Sequence, residues 1–141
     1  MTFLKPQAGV LPIAESTPLA REFREGCARG ELLFQRCPKC GNAQFPPTAA
    51  CRSCLEPGLQ WEQSTGHGSV YSWTVVWRPQ SPSFEVPYAT AVIDVAEGYR
   101  LISNIVNCDA EAIHLDMPVE VVFTQLADGV TVPYFQPRQT M

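Results

Sequence analysis

Four cysteines in two closely spaced pairs constrain the fold of this chain more than any other feature. Cys37 and Cys40 form one CxxC pair, and Cys51 and Cys54 form a second pair after ten intervening residues. Two residues between thiolates let both sulfurs turn toward one point, and two such knuckles facing each other enclose a metal ion. The spacing predicts a rubredoxin-like ribbon holding structural zinc, with iron as an alternative because the same sulfur tetrahedron accepts it.

The beginning of the chain bears on whether these cysteines bind metal or form disulfides. Lys5, Pro6 and Pro12 interrupt the first residues, so no signal-peptide-like apolar run is present. No segment of the sequence is long and apolar enough to cross a bilayer. We therefore expect a cytoplasmic protein without a membrane partner, in which metal binding is favoured over disulfides or free thiols.

A short amphipathic helix is predicted before the ribbon. Thr17-Pro18 is typical of a helix start, because proline at the first helical position loses no hydrogen bond. Leu19, Phe23 and Cys27 repeat at a spacing of four and form one apolar stripe. Gly30 stands where a glycine commonly ends a helix. The residues before this helix show no period and are expected to form an arm on the surface or on a partner.

Alternating residues predict a β-domain after the ribbon. The strands are expected near residues 69–77, 89–95, 99–106, 119–126 and 130–135, with a helical insertion between the third and fourth. Five strands with such an insertion are typical of the OB-fold, a partly open Greek-key barrel. The predicted protein is mainly β, with an arm and helix over residues 1–30, a zinc ribbon over 31–65 and an OB-fold over 66–141.

Charge and motif content narrow the function. Residues 1–60 hold seven Lys and Arg against five Asp and Glu, whereas the remainder holds three against nine. An acidic barrel makes nucleic acid an unlikely partner, although single-stranded nucleic acid is a ligand of other OB-folds and remains the alternative function. His67 and His114 are isolated, and the lone cysteines Cys27 and Cys108 are expected to pack rather than react. The sequence contains no recognisable combination of nucleophile, general acid and general base. Whether the chain is an enzyme stays open.

Several motifs match a known family across residues 18–137. They are Cys37-Pro38-Lys39-Cys40-Gly41, Gln44-Phe45-Pro46-Pro47, Cys51-Arg52-Ser53-Cys54, Gly66-His67-Gly68 and Met117-Pro118-Val119. In these motifs the chain resembles bacterial and archaeal proteins, long labelled as of unknown function, that join a rubredoxin-like zinc ribbon to an acyl-CoA-associated OB-fold.

The resemblance implies a role beside another enzyme. Members of that family resemble partners of thiolases, hydroxymethylglutaryl-CoA synthases, lipid-transfer-type aldolases and hot-dog hydratases, in which the catalytic residues belong to the partner. We therefore expect a non-catalytic accessory subunit in a hetero-oligomer with a thiolase-like or hydratase protein. A coenzyme A thioester is the expected ligand.

Two sets of residues outside the metal site are candidates for binding. Arg21, Arg24 and Arg36 lie in the predicted helix and ribbon, where they would face CoA phosphates or an acidic partner. Arg78, Phe84 and Tyr88 belong to a proline-rich loop between barrel strands, which we expect to reach a partner or substrate. Trp73 and Trp77 share a strand face and are expected in the core rather than on an exposed stacking platform.

Overall fold

The computed structural model describes residues 2–13 and 15–139, so the ends of the predicted segments 1–30 and 66–141 fall partly outside it. The described residues form one α-helix, a short 3-10 helix at Ala110–Ala112 and ten strands. The helix is α1 (Arg21–Ala28), and the strands are β1 (Phe3–Leu4), β2 (Leu33–Arg36), β3 (Ala43–Gln44), β4 (Gln60–Gln63), β5 (His67–Val76), β6 (Tyr88–Val95), β7 (Tyr99–Ile105), β8 (Cys108–Asp109), β9 (Pro118–Gln125) and β10 (Thr131–Pro137). No described helix has the length and apolar composition needed to span a membrane.

Five strands close into the barrel that the alternation predicted. β5, β6 and β7 form an antiparallel meander, β9 pairs antiparallel with both β5 and β10, and β10 meets β7 in parallel at Phe135 and Ile105. The 3-10 helix lies between β7 and β9. This order and the insertion are those of an OB-fold. Alternate residues of β6 and β7, such as Ile93 and Leu101, fill the barrel core.

The ribbon is a three-stranded antiparallel sheet in the order β3-β2-β4. β2 is central, and Phe34 on it is fully buried in the same hydrophobic cluster as the barrel residues. The Phe34 ring stacks on Tyr99 of β7, with centroids 4.8 Å apart. Ribbon and barrel therefore share one core.

The link between ribbon and barrel is fixed by one carboxylate. Glu97, in the β6–β7 turn, accepts hydrogen bonds from the Ser64 hydroxyl (2.5 Å) and the Thr65 N–H (2.9 Å). Burial raises the pKa of Glu97, but these hydrogen bonds outweigh it and lower the pKa below its usual range. Gly66 follows with φ 81°, a left-handed conformation that glycine adopts without strain.

The helix and the arm differ in part from expectation. α1 begins at Arg21, because residues 18–20 form a turn in which Thr17 accepts the Ala20 N–H, and Leu19 is consequently exposed. Gly30 ends the helix as predicted: its N–H donates to Cys27, and the Glu31 N–H donates to the Gly26 carbonyl at 2.8 Å.

The arm is part of the fold rather than a loose extension. Leu4 is fully buried in the barrel core, and β1 pairs with β8.

Candidate metal centre

Two knuckles with similar hydrogen bonding carry the four cysteines. After β2, the Cys37 N–H donates to the Asn42 carbonyl and the Gly41 N–H donates back to the Cys37 carbonyl, both at 2.9 Å. In the second knuckle the Cys51 N–H donates to Glu56, and the Leu55 N–H donates to Cys51, again at 2.9 Å. Each turn closes because its last residue has a positive φ, 79° at Gly41 and 66° at Leu55. The chain thus directs both sulfurs of each pair toward the other pair.

The four predicted ligand atoms meet at one point. The sulfur atoms of Cys37 and Cys54 are 3.6 Å apart, as are those of Cys40 and Cys51, and all four lie within 4.8 Å of one another. A regular tetrahedron with Zn–S bonds of about 2.3 Å has edges of about 3.8 Å, so the cluster has close to the dimensions of a zinc site. Four thiolates would fill its coordination shell and leave no position for water or substrate.

Backbone N–H groups favour the ionised form of two of the four sulfurs. The Cys40 N–H, 3.5 Å from the Cys37 sulfur, is the main cause of a lowered pKa at Cys37. At Cys51 the N–H groups of Cys54 and Ser53 lower the thiol pKa to about 6. The N–H of Glu56 lowers the pKa of Cys54, but burial and bonding to the other sulfurs prevail and raise it to about 12. Four negative sulfurs at this spacing repel one another, and a divalent cation relieves that repulsion.

Beneath the sulfurs lies a buried amide network that the sequence did not reveal. The side-chain oxygen Oε1 of Gln35 accepts hydrogen bonds from the Gln44 side chain (3.2 Å) and the Thr48 N–H (2.9 Å). Gln44 in turn accepts the Arg52 N–H at 2.9 Å, within the second knuckle. Gln35 and Gln44 are both buried, so the network ties the two knuckles together from below. The sequence shows only that a glutamine lies on each side of the first CxxC pair. Glutamines are too common for this pattern to predict a buried network.

The three arginines predicted to bind cofactor lie on two elements, two on α1 and one on β2. Arg21 is exposed at the start of α1, and Arg24 lies half-buried one turn later. Arg36 ends β2, where its guanidinium donates to Glu62 (2.6 Å) and to the Gly41 carbonyl (2.9 Å). Much of the Arg36 hydrogen-bonding capacity is thus used within the ribbon.

The predicted loop is held by the arm. Arg78 is exposed, whereas Tyr88 is buried at the start of β6, donates its hydroxyl to Gln80 (2.8 Å) and stacks on Phe84 with centroids 5.8 Å apart. The Gln7 amide donates to the Glu85 carbonyl and accepts the Glu85 N–H, each at 2.8 Å.

A cavity of about 450 Å³ lies between arm, helix, loop and barrel. Its lining is mostly apolar, with Ser103 and Asn104 among the polar groups, and it includes the aromatic rings of Phe23, Phe45, Phe84, Tyr88 and Tyr134. This volume and mixed lining are typical of small-molecule sites.

Residues outside these sites are placed as follows. His67 and His114 are exposed. Cys27 is buried, and burial raises the pKa of its thiol to about 11, in keeping with a packing role. The expectation that Trp73 and Trp77 belong to the core is wrong, because 39% and 60% of their surfaces are exposed.

Two family models match the chain. Residues 24–60 match the rubredoxin-like zinc ribbon domain of ChsH2, and residues 61–124 match the C-terminal OB-fold domain of ChsH2. These two regions cover the metal cluster and most of the barrel.

Relatives of the chain occur in bacteria and archaea. The chain is 33% identical to a probable enoyl-CoA hydratase alpha subunit of Thermomonospora curvata over 80% of its own length, but it spans only 35% of that protein. It is 32% identical to a DUF35 domain-containing scaffold protein of Methanothermobacter thermautotrophicus, over 79% of this chain and 86% of the relative. Among solved structures, a chain of the Ltp2-ChsH2(DUF35) aldolase superposes with a TM-score of 0.81 and 30% identity, over 89% of this chain and 98% of that one.

Proposed function

The chain belongs to the DUF35 family of zinc-ribbon and OB-fold proteins, and from this premise we propose that it is a non-catalytic subunit of an acyl-CoA enzyme. The partner would be a thiolase-like acyltransferase or aldolase, or a hydratase. The observation that carries the proposal is the cluster of four sulfurs within 4.8 Å, which closes the metal's coordination shell. A closed shell gives zinc a structural task and leaves the chemistry to the partner.

The relatives support this assignment. One is a hydratase alpha subunit, one is a scaffold protein, and one is a chain of an aldolase assembly. All three descriptions fit a component that acts within a larger complex. We extend the same role to this chain and place it in the cytoplasm, where thiols stay reduced and available to zinc.

We further propose that the subunit helps to bind the acyl-CoA. Arg21 and Arg24 on α1 would meet CoA phosphates or an acidic partner surface, with Arg36 contributing less because Glu62 already engages it. The aromatic cavity below the loop of Arg78, Phe84 and Tyr88 offers a place for the acyl part. The exposed Arg78 would then lie at the approach to the partner.

Reconstitution tests the subunit role. The chain is co-expressed with candidate thiolase-like or hydratase proteins of the same organism, and any complex is isolated and assayed for acyl-CoA turnover. We expect co-purification, and turnover that falls when the chain is omitted or replaced by Cys51→Ser, which removes one metal ligand. Turnover of an acyl thioester at an enzymatic rate by this chain alone would contradict the proposal.

A charge reversal tests the cofactor residues separately. Arg21→Glu should weaken the binding of coenzyme A to the complex by about tenfold, since one charge-assisted contact is worth about 1.5 kcal/mol. Lys5→Glu makes the same charge change on the exposed part of the arm and serves as the control. Equal affinities for both variants would remove Arg21 from the site while leaving the subunit role intact.

A further inference from the structure

β5 carries an open backbone edge. On one side it pairs with β6 over nearly its whole length, but on the other side β9 pairs only with residues 67–69. The Val70 N–H donates to the Met117 carbonyl, and the Asp116 N–H donates to the Val70 carbonyl at 2.8 Å. These two bonds extend the covered part of the edge to Val70. In the described part of the chain, residues 72–76 have no ladder partner on that side. Alternate residues there therefore direct their N–H and C=O groups outward.

The composition of this edge is unusual for one that faces water. Residues 71–77 read Tyr-Ser-Trp-Thr-Val-Val-Trp, without a charge, a proline or a glycine. Proteins usually protect a solvated edge with such residues or with a bulge. The bulge here lies between Val70 and Ser72, at the start of the segment, and the following residues pair regularly with β6. The aromatic side chains of Trp73 and Trp77 remain substantially exposed.

We propose that a second copy of this chain covers the open edge, pairing antiparallel with Thr74 on a two-fold axis. In that register Trp73 lies opposite Val75 of the second copy, and the reciprocal pair follows by symmetry. Trp73 and Val75 share a face, because their partners on β6 are the buried residues Ala91 and Ala89. Aromatic and β-branched residues placed opposite each other stabilise an antiparallel pair.

One local contact between opposite charges favours a second copy as the occupant, although the net charges of the two copies do not. With a net charge of −4, two copies repel over much of their surfaces, but the segment 71–77 contributes no charge. β5 ends at Val76, so the segment that carries Arg78 in one copy would leave the ladder near Val70 of the other copy, where Asp116 already covers the edge. Both side chains are exposed, and neither forms an ion pair within the described residues. The two-fold axis would create this Arg78–Asp116 contact twice.

The expected dimer is weak and depends on concentration. Strands of about five residues bury less surface than a stable interface needs, so dissociation in the micromolar range is expected. Sedimentation of the zinc-loaded full chain between about 5 and 200 µM should show a monomer–dimer equilibrium. The dimer requires no partner enzyme, so its formation is measured on this chain alone, although Arg78 also lies at the proposed approach to that enzyme.

A lysine at the axis should disrupt the dimer. Thr74→Lys sets two like charges opposite each other, and we expect dimerisation to weaken at least about tenfold. Thr74 is exposed, so the monomer should keep its melting temperature. Ile102→Lys adds the same charge to an exposed position on β7, two strands from the edge, and should leave the dimer unchanged.

Cross-linking tests the register itself. Residues directly opposite in an antiparallel pair lie about 4.5–5.5 Å apart at Cα, which suits a disulfide. Thr74→Cys should therefore form an intermolecular disulfide under mild oxidation. Ser72→Cys should not, because the two copies of residue 72 lie about 13 Å apart along the strands.

The charged contact provides a third test. Arg78→Glu should weaken the dimer severalfold, and adding Asp116→Asn should restore part of the loss, since asparagine tolerates the φ of 62° at this position. A wild-type chain that stays monomeric at about 200 µM, or equal cross-linking of the two cysteine variants, would overturn the proposal. If Thr74→Lys instead abolished binding of the partner enzyme by a monomeric chain, the edge would serve a strand of that enzyme.

Discussion

Replacing Gln7 by alanine tests whether the N-terminal arm fixes the long loop between β5 and β6. Gln7 is only 2% exposed, and its side-chain amide forms two hydrogen bonds of 2.8 Å with the Glu85 backbone, one as donor and one as acceptor. The arm cannot slide along the loop without breaking both bonds. The chain close to Gly9 is equally tight, because a Cβ there would lie 3.1 Å from the Ser83 carbonyl oxygen.

The expected loss follows from these contacts. Two hydrogen bonds contribute about 0.5–1.5 kcal/mol each in net terms. Removing the buried methylene costs about 0.8 kcal/mol more, and the space left by the amide adds a cavity term. We expect Gln7→Ala to lower the free energy of unfolding by about 3 kcal/mol.

Urea denaturation followed by tryptophan fluorescence measures this loss, and hydrogen exchange of residues 78–88 shows whether the loop is released. Gln80→Ala is the matched control, because its exposed side chain accepts one hydrogen bond, from the Tyr88 hydroxyl. That change should cost less than about 1 kcal/mol. We call these two Gln7–Glu85 hydrogen bonds the clasp. A similarly small loss for Gln7→Ala, with unchanged hydrogen exchange in the loop, would show that the clasp does not fix the loop.

A glutamate at position 7 adds a pH dependence of known sign. The neutral acid can still donate to the Glu85 carbonyl, whereas the buried carboxylate cannot, so the folded-state pKa should lie above the unfolded value of about 4.3. The clasp is then intact below about pH 4.3 and is lost as pH rises through the folded pKa. Gln7→Glu should therefore approach wild-type stability only in acid.

Three further perturbations have clear outcomes. Removing zinc with a chelator, or replacing Cys51 by serine, should unfold the ribbon and expose the amides of residues 33–63 to exchange, as zinc binding supplies folding free energy. Gly68→Ala should lower the melting temperature, with a loss of about 2 kcal/mol, because the added methyl would lie 2.6 Å from the Asp94 carbonyl oxygen and the backbone must move. Glu97→Gln should destabilise the link at Ser64 at neutral pH. Because folding lowers the Glu97 pKa, the stability that the carboxylate adds over glutamine is present above the unfolded pKa of about 4.3 and is lost as pH falls through the lower folded pKa. Equal melting temperatures of the two proteins at pH 7 would contradict this.

Local patterns predicted the metal cluster and the barrel well. The CxxC spacing predicted that the two sulfurs of each pair turn toward one point, and the sulfurs of Cys37 and Cys54 meet as expected. The barrel strands were found because one face of each is buried, which imposes alternation on the sequence. Gly30 was identified from a local rule as well, because the residue that ends α1 has a left-handed conformation that favours glycine.

Features that depend on distant residues were missed. Gln7 and Glu85 are 78 positions apart, and Leu4 is a single apolar residue without a period, so the arm gave no local signal of its contacts. The buried pair Gln35 and Gln44 likewise acquires meaning only once β2 and β3 lie side by side. The tryptophans were misplaced because alternation predicts which face a residue occupies and not whether a neighbouring strand covers that face.

The position of β2 explains why a metal can influence the whole molecule. At one end of this short strand Arg36 leads directly into Cys37, and in its middle Phe34 enters the core shared with Tyr99 of the barrel. β2 is also the only described ribbon strand that pairs with both others, so its place depends on the knuckles that zinc holds together. We therefore expect loss of the ion to withdraw a buried aromatic side chain from the barrel as well as to unfold the ribbon. A structural metal so placed would also fix how the ribbon packs against the barrel through the Phe34–Tyr99 contact.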